Sequence, residues 1–203
     1  MIKCDAREKN KIYGRVKKSL LKLLACRSLD EITVGNVAEE AGISRQYFYR
    51  YYLDKIDLVY DIFLGDVEDA LAETFQQENV PDIFMQLQTN TVFYQKVLQS
   101  SFCKEFCRFT VLTGEYFIET LYELSCKKMT VSEEQAAEVY VHGVSSLFFD
   151  NLLHKKYEAE TVAEICQKNA PPALGAGLCE RFAADRVLHG VIKKLTKLFR
   201  QSE

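Results

Sequence analysis

A polar and aromatic run at residues 45–52 contains the side chains best suited to chemistry on a partner molecule. The run reads Arg-Gln-Tyr-Phe-Tyr-Arg-Tyr-Tyr, and the four-residue spacing of Phe48 and Tyr52 places both on one face of a helix. Hydrogen-bonding side chains are then left largely on the outer side: Gln46, Tyr47, Tyr49 and Arg50. A helix of this kind can enter a DNA major groove, which is about 12 Å wide and admits one helix.

The residues before this run predict a second short helix that would hold the first in place. Thr33 suits an N-cap, because its hydroxyl can accept a free backbone N–H of the first turn. A narrow apolar stripe follows, formed by Val34, Val37, Ala38 and Ala41. Gly42 is placed for a left-handed C-cap, and Ser44 can cap the next helix after a turn of only three residues. Because small Ala38 permits close packing across that turn, the pattern predicts a helix-turn-helix.

Longer helices are predicted on both sides of this motif. The first spans Lys9 to Arg27 and carries one apolar face of Val16, Leu20, Leu23 and Leu24. After the motif, Asp54 is expected to cap a helix whose inward side chains are Leu58, Val59, Ile62 and Phe63.

The rest of the chain also predicts helices and hence an all-α fold. The 203 residues contain only 9 Gly and 3 Pro, and no proline precedes Pro81. Expected helices run from about Asp82 to Gln99, Ser101 to Lys127, Ser132 to His154, Glu160 to Gln167 and Leu178 to Arg200. Ser101 is expected to cap its helix, and Ser132 is expected to open the one that follows. Asn169 to Gly177, with two Pro and two Gly, is expected to be a loop.

The charged residues divide the sequence into a basic N-terminal part and an acidic remainder. Residues 1–55 contain 12 Lys/Arg against 7 Asp/Glu, a balance of +5, whereas residues 56–203 have a balance of −8. We therefore expect two domains with a boundary at residue 55, the first of which meets an anionic partner.

Several other classes of protein are disfavoured. There is no 18-residue uncharged apolar run, and the first ten residues lack the apolar core of a signal peptide. Seven cysteines without a CxxC pair favour a reducing cytoplasm over a disulfide framework. We expect no cofactor, no metal site and no catalytic residue, because no P-loop, G-x-S-x-G or Glu-x-x-His pattern occurs. Cys103 and Cys107, one turn apart, could form a redox or metal pair, but as buried side chains they more simply act as small hydrophobes.

Residues 12–63 resemble the N-terminal domain of TetR-type transcriptional regulators. The stretch 33–52, followed by Asp54-Lys55 and Leu58, keeps the Thr before the first short helix, the Val-Ala pair within it and the Ala-Gly-Ile-Ser sequence of the turn. It also keeps the aromatic residue that closes the second short helix and the lysine that opens the next helix. It departs from the usual pattern at Tyr47, where a small residue is common, and at Tyr51, where histidine is common.

The resemblance implies roles for eight residues. Five of them would contact phosphates: Thr33, Ser44, Tyr49, Tyr51 and Lys55. They would do so through hydroxyls, an ammonium group or a helix N-terminus. Those that would read base edges are Arg45, Gln46 and Tyr47, since Arg can pair with guanine, Gln with adenine, and a Tyr ring can touch a thymine methyl.

The same resemblance implies that the second half binds a small effector and forms a homodimer. Its last two long helices, Glu133–His154 and Leu178–Arg200, would make the dimer contacts. An apolar or aromatic effector would meet Phe102, Phe106, Phe109 and Tyr140, although ordinary core packing is the simpler explanation of these residues. The layout of this half is also similar to regulators related to dihydroxyacetone-kinase control.

The expected function is therefore a ligand-released repressor that acts as a homodimer on a palindromic operator. The alternative is a co-regulator that keeps the helix-turn-helix shape but acts through a protein partner, which the bulky Tyr47 and the modest positive charge leave open.

Overall fold

A computed structural model gives the structure of this chain and describes residues 6–77, 87–125, 127–171, 187–192 and 194–195. Its helices are α1 (Ala6–Leu24), α2 (Val34–Glu40), α3 (Arg45–Phe48), α4 (Lys55–Gln77), α5 (Thr91–Leu98), α6 (Cys103–Leu124), α7 (Val131–His154) and α8 (Ala159–Lys168). Residues 187–192 and 194–195 are helical as well. Every regular element in the described ranges is a helix, so the all-α prediction is confirmed.

Contacts between residues divide the chain into two compact units. The first takes Met1–Gly65 together with Val92–Cys103, and the second takes Asp66–Thr91 together with Lys104–Glu203. The division into compact units does not show which residues would bind DNA and which would bind an effector, so the predicted domain boundary at residue 55 stays a prediction. No helix within the described residues has the length and apolar character needed to cross a bilayer.

The first unit has a core built from one face of each helix. Val16, Leu20 and Leu24 of the predicted α1 face are buried, and so is Ile12, whereas Leu23 is only half-buried. Phe48 and Tyr52 are buried beside each other, with ring centroids 5.3 Å apart. On α4 the predicted inward residues are all buried: Leu58, Val59, Ile62 and Phe63.

The second unit contains a tight crossing between α6 and α7. Its buried apolar cluster consists of Ile118, Tyr122, Ala137 and Val141. A Cβ placed on Gly114 would lie 2.7 Å from Cγ1 of Val141, so only glycine fits at this point of α6. A Cβ on Gly190 would similarly lie 2.6 Å from Cγ2 of Thr120, so residues 187–192 also approach α6 closely.

Several predicted helix ends differ from the observed ones, since α1 runs from Ala6 to Leu24 rather than from Lys9 to Arg27, and α6 ends at Leu124 rather than Lys127. The second helix of the motif ends at Phe48 rather than Tyr52, because the following amides form turn bonds such as Tyr51 N–H to the Phe48 carbonyl at 3.0 Å. Ser132 lies inside α7, whose N-cap is Thr130 in a capping box with Glu133.

Ser101 is likewise not the residue that caps α6. Its hydroxyl donates to Asp30 at 2.7 Å, and the Ser100 hydroxyl accepts from the Phe102 N–H at 3.2 Å. Two other predicted helices, Asp82–Gln99 and Leu178–Arg200, lie partly outside the described residues.

Candidate nucleic-acid interface

The two short helices of the predicted motif are held by local caps. Thr33 Oγ1 accepts from the Asn36 N–H at 3.2 Å, and Asn36 Oδ1 accepts from the Thr33 N–H at 3.0 Å, which makes a reciprocal capping box. Gly42 has φ +63°, as a left-handed C-cap requires, and Ser44 Oγ accepts from the Tyr47 N–H at 3.1 Å. The caps predicted from the sequence are therefore present.

A cation from α1 fixes the turn between these helices. Arg15 Nη2 donates to the carbonyl oxygens of Ala41 at 2.6 Å and of Gly42 at 3.1 Å. These carbonyls lie at the C-terminal end of α2, where the helix dipole favours positive charge. Lys22 adds an ion pair to Glu40 at 2.5 Å. The apolar spacing of α1 does not reveal this contact, because its partners are 26 and 27 residues away in the chain.

Arg45 and Gln46 present unpaired polar groups to solvent at the start of α3. Both side chains are exposed, and neither has a hydrogen-bond or ion-pair partner among the described residues. The Arg45 guanidinium lies over Gly35 of α2, where even a methyl group would collide with it. Gly35 therefore leaves room for the arginine, a role that its place in the sequence did not reveal.

Tyr47 is half-buried and lies in a small polar cluster. Its hydroxyl donates to Glu8 Oε1 of α1 at 2.9 Å and accepts from the Tyr51 hydroxyl at 3.4 Å. The Arg50 guanidinium carbon lies 5.5 Å from the Tyr47 ring centroid, within the range of a cation–π contact. The hydroxyls of Tyr47 and Tyr51 thus already have protein partners.

The remaining predicted phosphate contacts fall into two groups. Thr33, Ser44 and Tyr49 are exposed, and the Tyr49 side chain is 55% exposed at the end of α3. Lys55 differs, because its ammonium group donates to three backbone carbonyls between α1 and α2: Leu29 at 2.7 Å, Asp30 at 3.3 Å and Ile32 at 2.6 Å. The first amides of α4 are capped by Asp54 Oδ1, at 2.7 Å from Ile56 N and 2.9 Å from Asp57 N. Lys55 therefore stabilises the connection before α2, and a phosphate contact through its ammonium stays a prediction.

Replacing Lys55 with Met is expected to destabilise the first unit by about 1.5–3 kcal/mol, since hydrogen bonds to a charged donor are lost while the aliphatic stem is kept. Urea denaturation of both proteins measures the change. Lys22→Met is the matched control, because the exposed Lys22–Glu40 pair should contribute little. Equal stability of Lys55→Met and the parent chain would contradict the structural role.

The four predicted effector residues are divided between the two units. Phe102 belongs to the first unit, where its ring lies 5.5 Å from that of Tyr60. Phe106 and Phe109 are buried in the second unit, and the Phe106 ring lies 6.2 Å from that of Phe149. The Tyr140 hydroxyl donates to the Cys166 carbonyl at 3.1 Å, and burial raises the pKa of Tyr140 to about 12. These contacts are those of packed core residues, and effector binding by the four stays a prediction.

Comparisons with known proteins agree with the geometry of the first unit. Residues 18–62 match the family model of bacterial regulatory proteins, tetR family. The HTH-type transcriptional regulator YxbF of Bacillus subtilis (strain 168) is 37% identical over 60 residues, which is 30% of this chain but only 16% of YxbF. The solved structure of the dihydroxyacetone kinase operon activator DhaS has a TM-score of 0.54 at 18% identity, and covers 78% of this chain and 93% of that chain. At this identity the likeness to DhaS shows a shared fold, while the family match confirms the resemblance seen in the sequence.

Proposed function

We propose, on the premise that residues 18–62 form a domain of the tetR family of bacterial regulatory proteins, that this chain is a transcriptional regulator that binds DNA directly. The observation that carries the proposal is the exposed pair of Arg45 and Gln46 at the start of α3, whose side chains have no partner within the described ranges. The Ser44 cap and buried Phe48 hold this short helix in place, so the pair is presented by a fixed scaffold. Arg45 would pair with guanine and Gln46 with adenine.

The contacts around this pair would position the helix on DNA. Ser44 and Tyr49 have exposed hydroxyls that would bind phosphates. The exposed Thr33 hydroxyl donates to Asn36 Oδ1 at 2.8 Å, so it would bind phosphate only after exchanging that bond. The Tyr47 ring would touch a thymine methyl while its hydroxyl stays on Glu8, and Tyr51 would bind phosphate only after exchanging its bond to Tyr47. Lys55 would act mainly by shaping the segment that carries Thr33.

We further propose that the protein acts in the cytoplasm as a homodimer. Two apolar side chains of α7 are largely exposed in the single chain, Val131 at 70% and Val139 at 74%, and Gly143 on the same helix allows close approach. Ile192, in the part of the predicted last helix that is described, is 40% exposed. Burial of these side chains against a second copy would form the dimer contact, and reading of successive major grooves would require the two α3 helices of the dimer to lie roughly 34–36 Å apart.

The proposed output is repression that a small apolar or aromatic effector relieves. A ligand that binds better to a form with a different helix separation would shift the population away from DNA. Activation is the second candidate, because DhaS, which shares the fold, is an operon activator. A reporter gene placed under the control of the operator that this chain binds distinguishes the two. Expression of this chain would lower the reporter level in repression and raise it in activation.

Direct DNA reading is tested by the double variant Arg45→Ala, Gln46→Ala. Each well-placed base contact is worth about 1–3 kcal/mol, so operator affinity should fall by a factor of roughly 30 to 10⁴ for each half-site of the operator, with the fold unchanged. Fluorescence anisotropy with a labelled operator gives the dissociation constant.

The matched control is Gln167→Ala, Lys168→Ala, which removes the same kinds of side chain from the exposed end of α8. Unchanged operator binding or unchanged regulation in the Arg45, Gln46 variant would favour the alternative, a co-regulator that acts through a protein partner.

A further inference from the structure

Two carboxylates and an imidazole converge where α6 meets α7. Glu115 lies on α6, while Glu138 and His142 lie one turn apart on α7. One ligand atom of each side chain can be chosen so that all three lie within 4.8 Å of one another. We propose that Glu115, Glu138 and His142 form a binding site for a divalent transition metal of the Zn²⁺ class.

The backbone packing fixes this convergence. Gly114 lies against Val141, close enough that a Cβ on the glycine would come within 2.7 Å of Cγ1. The immediate neighbours of these two residues, Glu115 and His142, are therefore brought together by this close contact between the helices. The buried cluster of Ile118, Tyr122, Ala137 and Val141 supports the same crossing.

The charges at this point lack a strong cationic partner. His142 Nε2 lies 3.8 Å from Glu115 Oε1, and no Lys or Arg of the described residues forms an ion pair with Glu115 or Glu138. The Glu115 side chain is only 29% exposed. A cation bound between the two carboxylates would supply positive charge at this point.

A second histidine on α7 shows the ordinary alternative. His154 Nε2 lies 3.6 Å from Asp150 Oδ1, but Asp150 also pairs with Lys156. The Lys156 ammonium and the His154 ring keep the pKa of Asp150 below its usual range, with the hydrogen bond from Lys156 as the largest cause. This group is a local ion pair with its own cation, and it provides a comparison within the same helix.

The donor set suits the proposed metal. Imidazole nitrogen and carboxylate oxygen bind Zn²⁺ at about 2.0–2.2 Å, which places tetrahedral ligand atoms about 3.3 Å apart. The imidazole and Glu115 are already near that separation, and the exposed Glu138 can rotate toward them. Three protein ligands leave a fourth position for water or another ligand.

The test is titration of the purified, reduced full chain with Zn²⁺ against a colorimetric chelator, followed by Co²⁺ absorption spectroscopy. We expect saturation at one metal per chain, with a Co²⁺ spectrum free of thiolate charge-transfer bands. Glu115→Gln and His142→Asn should each remove the saturable binding, whereas the matched control His154→Asn should keep it. Circular dichroism of each variant checks that the helices remain.

Three results would overturn the proposal: no saturable binding by the parent chain, binding that persists in both site variants, or thiolate bands that assign the metal to cysteines. None of these measurements involves DNA. A negative result therefore leaves the proposed regulator function untouched, and loss of operator binding in the Arg45, Gln46 variant leaves the metal site untouched.

Discussion

Raising the salt concentration from 50 to 200 mM is expected to weaken operator binding by a factor of roughly 10³–10⁵. A dimer that neutralises roughly 6–10 phosphates releases a comparable number of condensed counterions, and this release becomes less favourable as salt rises. The basic balance of residues 1–55 and the exposed hydroxyls beside α3 provide the groups for such contacts. Anisotropy titrations at several salt concentrations give the slope of log K against log salt.

If this chain regulates through another protein instead, its own affinity for DNA should depend much less on the salt concentration. Circular dichroism over the same salt range is the control, since the helices of the chain should not change. A flat response with intact helices would contradict direct phosphate contact by this chain.

Replacing Phe48 with Ala is expected to lower the free energy of unfolding of the first unit by about 3–5 kcal/mol. The Phe48 side chain is fully buried, and its ring packs 5.3 Å from that of Tyr52 and 5.8 Å from that of Tyr49. The four-residue helix α3 has too few internal hydrogen bonds to persist without this anchor. Operator binding should be lost together with stability, as urea denaturation and anisotropy would show.

The neighbouring substitution Tyr49→Ala is the matched control. Tyr49 is more than half exposed, so its removal should change stability by less than about 0.5 kcal/mol while weakening DNA binding through the lost phosphate contact. If Phe48→Ala were as stable as Tyr49→Ala, the proposed anchoring of α3 would be wrong.

The sequence predicted the parts of the first unit that depend on local chemistry. The N-caps at Thr33 and Ser44 and the left-handed Gly42 involve partners no more than five residues away, so the residue types alone indicate them. The buried side chains of α1 and α4 follow from apolar spacing in the same way.

Contacts between residues distant in the chain could not be predicted from local patterns. Arg15 reaches the end of α2 across 26 residues, Tyr47 reaches Glu8 across 39, and Ser101 reaches Asp30 across 71. The last of these also explains the wrong cap for α6, because a free serine hydroxyl and one already bound to a carboxylate look the same in a sequence.

The second half was predicted less well for a related reason. Its α7 begins at a capping box of Thr130 and Glu133, and the nearby Ser132 offered an equally plausible cap from sequence alone. Aromatic residues on α6 are typical of a pocket and of a core alike, and only the packing of Phe106 and Phe109 distinguishes their surroundings. The four-residue spacing of Glu138 and His142 indicates that they share one face of a helix. Glu115 lies on another helix, and no sequence pattern connects it to them.

The most direct test of the central claim is selection of random-sequence DNA by the purified full chain at about 150 mM salt, a condition in which nonspecific phosphate binding is weak. Direct reading by two copies of α3 predicts an enriched palindrome with half-site centres about 10–10.5 base pairs apart, or a multiple of that spacing. The Arg45→Ala, Gln46→Ala variant should lose this enrichment under the same conditions. Absence of an enriched sequence for a folded, dimeric parent chain would contradict direct DNA reading.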